Sequence, residues 1–318
     1  MSFKDNYIVS FSPHMFSKDR TNRIMLDVVI ALVPSLIAGV IIFGERALLI
    51  TTICVLSCMF FEAAFQKIVK KNVTISDFSA VITGMLLAFN LPVGIPIWQA
   101  VTGSFVAIVL VKQLFGGLGK NFANPALTAR IFMFLAFSTT MTTWAPIYDA
   151  VTNASPINAV SGATPLNLIR SGEFELLPSM RNMFIGKHGG CIGETSALAL
   201  LIGGAYLLIR RVITWHIPVT YIATVAALTA ILGQPVLYHL LAGGLLLGAI
   251  FMATDYVTSP QINKGRLIFG IGCGVFTVII RLYSNYPEGV SFAILFMNVL
   301  VPYINKFTLK KALGGIKA

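Results

Sequence analysis

A seven-residue stretch, Ser161-Gly162-Ala163-Thr164-Pro165-Leu166-Asn167, puts a hydroxyl beside two small residues and a proline. Gly162 and Ala163 let another molecule approach the backbone closely. Thr164 supplies a hydroxyl that can take a phosphoryl group, with Ser161 at the head of the stretch. Pro165 fixes the direction in which the chain leaves. This is the chemistry of an attachment point. The same residues also make an ordinary turn, because Ser-Gly and Thr-Pro pairs are common turn formers. Chemistry alone does not separate the two.

A second stretch, Asn124-Pro125-Ala126-Leu127-Thr128-Ala129-Arg130, reads as a helix start. Asn124 offers both a donor and an acceptor, and Arg130 offers a fork of donors. With free backbone N–H groups nearby, the set suits a phosphate or a flat heterocycle bearing carbonyls, such as a flavin ring. A plain helix cap followed by a membrane-surface arginine is the alternative.

Four carboxylates fall in or beside apolar runs: Asp27, Glu62, Glu194 and Asp255. Charges at that depth are expensive and usually functional. Glu62 and Asp255 are candidates for an ion pathway. Interfacial charge is the alternative, or a helix N-terminus for Glu194. The four cysteines, Cys54, Cys58, Cys191 and Cys273, lack C-x-x-C spacing and read as small packing residues. The four histidines are scattered, so no metal site is expected.

These residues sit in a chain that is 56% hydrophobic and 11% charged, with a mean hydropathy of +0.83. Soluble domains run at about 25% charged. A soluble protein of this size could not cover its surface with such a sequence. Continuous apolar runs exclude the alternating pattern of a transmembrane barrel. The expected class is an all-α polytopic membrane protein. Ten apolar segments are predicted: 24–43, 47–68, 77–91, 97–116, 125–144, 192–209, 214–232, 236–254, 265–283 and 289–305. The third breaks at Asn90-Leu91-Pro92-Val93-Gly94-Ile95-Pro96. No cleavable signal peptide is expected, because the first apolar run is too long for one.

The domains follow from these segments: an N-terminal piece 1–23, a membrane half 24–144, a loop 145–191, a second membrane half 192–305 and a basic tail 306–318. With the N-terminus inside, 18 of the 23 basic residues fall on inner segments and 5 on outer ones. The positive-inside rule then puts both termini in the cytoplasm and the 145–191 loop outside. The net charge of +11 is a membrane-face signal and not one for nucleic acid. The loop is far longer than a usual connection and carries Trp144, Tyr148, Phe174, Leu176, Met183 and Phe184. Such a loop should pack on the membrane part or on a partner. A weak repeat relates Phe115-Gly116-Gly117 through Arg130 to Met252-Ala253-Thr254-Asp255 through Arg266, or else reflects chance likeness of glycine-rich segments.

The Ser161–Thr164 motif followed by Pro165, in the loop after the fifth of ten segments, resembles the RnfD and NqrB family. Asn124-Pro125-Ala126 before the fifth segment resembles it too. These are membrane subunits of ferredoxin:NAD⁺ and NADH:quinone oxidoreductases that move Na⁺ or H⁺. The short N-terminus is closer to the RnfD branch. The resemblance implies two related five-helix halves in a prokaryotic inner membrane. It implies FMN joined by a phosphoester to Thr164, with Ser161, Gly162, Ala163 and Pro165 as the surrounding motif. It implies a second, non-covalent flavin (riboflavin or FMN), placed here near Asn124 and Arg130. It implies partner subunits, among them another flavoprotein and a soluble NADH-binding subunit. Asn158 stands where such motifs often carry an acid three residues before the serine. The competing class is a urea-channel-like transporter without a redox cofactor.

Overall fold

The computed structural model describes residues 21–144, 164–284 and 289–308. Ser161, Gly162, Ala163 and Asn158 lie outside these, as do the chain termini. Every predicted apolar segment holds helix, and the described residues contain no strand. The ten segments correspond in order to α1 (Thr21–Phe43), α2 (Glu45–Ile68), α3 (Ser79–Phe89), α4 (Ile97–Phe105), α5 (Pro125–Ala136), α9 (Ala197–Ile209), α10 (His216–Ile231), the broken pair α11 (Val236–Leu241) and α12 (Leu245–Leu247), α13 (Asn263–Tyr283) and α14 (Val290–Thr308). Between the fifth and sixth lie three short helices, α6 (Ser138–Met141), α7 (Pro165–Ser171) and α8 (Met180–Ile185). Helices α1, α2, α13 and α14 are long and apolar enough to cross a membrane. Their outward faces carry Ile37, Ile41, Leu56, Phe60 and Val299, all exposed as lipid-facing side chains would be.

Two predicted segments are interrupted. The run 125–144 stops at Ala136, where Phe137 leaves helical geometry before α6. The run 236–254 breaks at Ala242-Gly243-Gly244, where both glycines take left-handed φ, +66° and +67°. Side chains other than glycine rarely adopt that geometry. The chain then re-enters as α12 and a π-helical stretch, Gly248–Met252. Helix α4 likewise continues as a π-helical stretch, Val106–Gln113. Such stretches are uncommon and cluster at functional sites.

Packing divides the chain into two halves with the same internal pairing. In the first, α2 packs on α3 and α4, and α4 on α5. In the second, α10 packs on α11 and α13, and α13 on α14. Across the halves α1 meets α9 and α5 meets α14. These pairings match each segment of the first half to the one five places later. Helices α3 and α12 correspond, and each starts just after a left-handed residue, Phe78 at φ 61° and Gly244 at φ 67°. The repeat legible in the sequence matches the fourth and fifth segments to the eighth and ninth, a different offset from this packing; the two π-helical stretches, in the fourth and eighth segments, follow the sequence offset. Small residues make the close packing possible. A Cβ on Gly84 of α3 would stand 2.6 Å from the Val55 Cα of α2.

Candidate functional site

Three polar clusters stand out among the described residues. The first closes around Glu62 on α2, which is 1% exposed. Lys112 in the π-helical end of α4 is equally buried, and its Nζ lies 2.9 and 2.7 Å from the two Glu62 oxygens. Lys112 also donates to Ser79 Oγ at 2.6 Å, and the Ser79 hydroxyl in turn donates to Asp77 Oδ1 at 2.6 Å. Gln113 donates to Glu62 at 2.9 Å. Every polar atom of the pair has a partner, as a buried ion pair requires. Glu62 is thus a closed, ion-paired carboxylate and not an open one.

Lys112 and Ser79 also face a cleft of about 800 Å³, mouth included, which Thr83, Asn124, Thr254 and Asp255 line further. Asp255, in the loop after α12, accepts from Thr258 Oγ at 3.0 Å. Burial pushes its carboxyl above the ordinary range, and hydrogen bonds from Thr258 and Val257 pull back less. The two predicted ion-pathway residues therefore approach one cleft, Asp255 directly and Glu62 through Lys112. Asp27 is engaged elsewhere, by Tyr206 at 2.8 Å and Arg210 at 3.1 Å.

The second cluster joins the ends of the two half-helices. Asn90, closing α3, sets its Nδ2 3.6 Å from Met252 Sδ at the end of the α12 segment. Arg130 on α5 donates to Asn90 Oδ1 at 2.7 Å and to Ser291 Oγ at 3.1 Å, with Cys191 Sγ at 3.7 Å. Glu194 accepts from the Cys191 backbone at 3.0 Å. Glu194 and Arg130 both stand within 4 Å of where a Cβ on Gly244 would be. Glu194 does not cap α9, because Ser196 does.

Asn124 and Arg130 do not share a cavity. Asn124 caps α5 with its oxygen and donates to the Met252 carbonyl, while its N–H meets Asn298. Asn124 lines the cleft with Ala126. Arg130 turns inward to the second cluster.

The third cluster lies around Thr164. Its hydroxyl caps α7, accepting from the Asn167 N–H at 3.4 Å. That bond is long against the usual ~2.9–3.0 Å, so the oxygen is weakly committed. Pro165 opens the helix as the sequence suggests. Leu166 packs with Met183 and Ala242, and Tyr238 donates to the Pro178 carbonyl at 2.9 Å. These contacts fasten α7 and α8 to the broken eighth segment. Beside α7 lies a cleft of about 550 Å³, mouth included, lined by Leu166, Ile169, Arg170, Gln234, His239 and Arg281. Arg281 spans the helix break, donating to the carbonyls of His239, Ala242 and Gly243 at 2.6, 3.0 and 3.2 Å.

Sequence reasoning missed Lys112, Asn90, His239 and Arg281 as site residues. Lys112, Arg130 and Arg281 counted as surface charges, yet they are 1%, 5% and 4% exposed. Setting them aside removes two from the inner group and one from the outer, and the asymmetry stands. Among the described residues no group of His, Cys, Asp and Glu could hold a metal.

The NQR2, RnfD, RnfE family matches residues 8–314. The chain is 49% identical to the D subunit of the Na⁺-translocating ferredoxin:NAD⁺ oxidoreductase complex of Acetobacterium woodii, covering 98% of this chain and 96% of that one. It is 40% identical to the D subunit of the proton-translocating ferredoxin:NAD⁺ oxidoreductase complex of Clostridium ljungdahlii, over 96% and 95%. It is also 40% identical to the D subunit of the ion-translocating oxidoreductase complex of Stutzerimonas stutzeri, over 93% of each chain.

Proposed function

The chain belongs to the NQR2, RnfD, RnfE family, and we propose that it is the flavin-bearing membrane subunit of a redox-driven ion translocase. The translocase would pass electrons between ferredoxin and NAD⁺ and move Na⁺ or H⁺. Full-length likeness to subunits so named supports this. Partner subunits, a second flavoprotein and a soluble NADH-binding subunit among them, would complete the route.

Thr164 is the proposed carrier of FMN as a phosphoester. The observation that carries this is its hydroxyl: it stands in the Ser161–Thr164 motif, and among the described residues it accepts one long cap bond. A bound flavin supplies one- and two-electron chemistry. The chain's own work is to hold and orient it. Pro165 sets the exit of the chain, and Leu166 anchors α7 on Met183 and Ala242. The basic-residue asymmetry supports an outer position for this site and cytoplasmic termini. The second flavin is proposed at the cleft lined by Asn124, with Arg130 supporting the α5 wall from behind. Lys112, Glu62 and Asp255 in and behind that cleft are the proposed points where charge movement meets the membrane interior.

Denaturing electrophoresis of the native complex tests the carrier role. A fluorescent band at this chain's size that disappears in Thr164→Val is expected. A chain without fluorescence in a complex that still turns over would favour a purely structural or channel-like role.

A further inference from the structure

The cleft between α7 and α11 lies within reach of a group tethered to Thr164. Helix α7 begins at the residue after Thr164 and lines the cleft with Leu166, Ile169 and Arg170. Seven helical residues span about 10 Å, less than an extended flavin mononucleotide.

The lining is cationic. Arg170 and Arg281 contribute the charge, and no carboxylate is among the described lining residues. Arg281 gives its Nη donors to three carbonyls, so toward the cleft it acts as a charge more than as a donor. His239 differs. It is 3% exposed, and neither ring nitrogen has a partner among the described residues. Buried imidazoles normally have their hydrogen bonds made. A ligand bearing both acceptor and donor oxygens would satisfy the two nitrogens together.

We propose that this cleft seats the ribityl-phosphate arm of the flavin carried by Thr164, with His239 as its hydrogen-bonding partner. This rests on the reading of Thr164 as the attachment point. His239 is a positioning residue: it holds the arm and takes no part in electron transfer. The ester phosphate and ribityl hydroxyls supply the oxygens, and Arg170 and Arg281 balance the phosphate charge.

The test uses the assembled complex with Thr164→Val, to which free FMN is titrated. Adding His239→Leu should weaken FMN binding about 30-fold, the worth of two hydrogen bonds. His239→Gln, which keeps a donor and an acceptor, should restore most of it. Riboflavin, lacking phosphate, should bind less well in every variant. Without flavin, His239→Leu should melt at or above the temperature of its parent, because it removes an unpaired polar ring. Unchanged FMN affinity in His239→Leu would overturn the proposal, and so would a large destabilisation without flavin. A wild-type chain that carries flavin on Thr164 and is insensitive to His239 would sink this inference alone. A wild-type chain without flavin on Thr164 would sink the attachment reading itself.

Discussion

The Glu62–Lys112 cluster and the His239–Arg281 cleft are both buried and charged, but they are finished to different degrees. Around Glu62 the carboxylate, the ammonium and Ser79 all have partners within 2.9 Å. Around His239 an imidazole is shut away from solvent with neither nitrogen bonded among the described residues. A closed network rigidifies and specifies the fold, whereas a buried polar group left unpaired is costly. The contrast separates an ion pair whose bonds are complete from an imidazole whose bonds are not.

Breaking the closed cluster should have the largest effect. Lys112→Met leaves Glu62 charged and buried, at a cost of about 3–5 kcal/mol. Thermal melting in detergent should show it, and adding Glu62→Gln should recover most of the loss. Equal melting of Lys112→Met and wild type would mean that the cluster is not closed in solution. Next comes the break that shapes the open cleft. Gly244→Ala forces a side chain into left-handed geometry, worth about 1–2 kcal/mol. It also drives a Cβ to 2.6 Å from Glu194 Oε2. Proteolysis from the α7 side should then speed up. Tyr238→Phe removes the hydrogen bond to Pro178, worth about 1 kcal/mol, and should raise hydrogen exchange in α8 without shifting global melting.

The smallest effect concerns Asp255. Its carboxyl is raised by burial. A raised acid contributes stability at low pH that is lost as pH climbs through its folded pKa. The wild type should therefore lose a little stability just above the ordinary carboxylate range, and Asp255→Asn should flatten that fall. A melting profile against pH that is identical in the two proteins would place Asp255 in open water.

Much of the bundle was legible because lipid-facing helices need continuous apolar runs, and all ten runs hold helix. The stop at Asn90–Pro96 was readable from its prolines. The break at Gly243-Gly244 was not, since glycine reads as a tolerated small residue in a membrane helix until its φ is known. Lys112 and Glu62 are 50 residues apart, and no spacing rule pairs them. Lys112 therefore looked like a charge at a membrane face and Glu62 like a lone carboxylate in an apolar run. Arg281 misled in the same way, its partners being carbonyls freed by a break the sequence did not announce. Asn124 and Arg130 looked like one ligand set because they are close in sequence. The helix turns them to different clusters.

Thr164 was legible as a hydroxyl between small residues and a proline. Its hold on the rest, through Leu166 against Met183 and Ala242, came only with the fold. The carrier role stands on that hydroxyl. Mass spectrometry of the peptide spanning Thr164, from complex purified out of the native host, tests it most directly. The expected result is a mass increased by one flavin mononucleotide less water, localised to Thr164. An unmodified peptide from a complex that is fully active would contradict it.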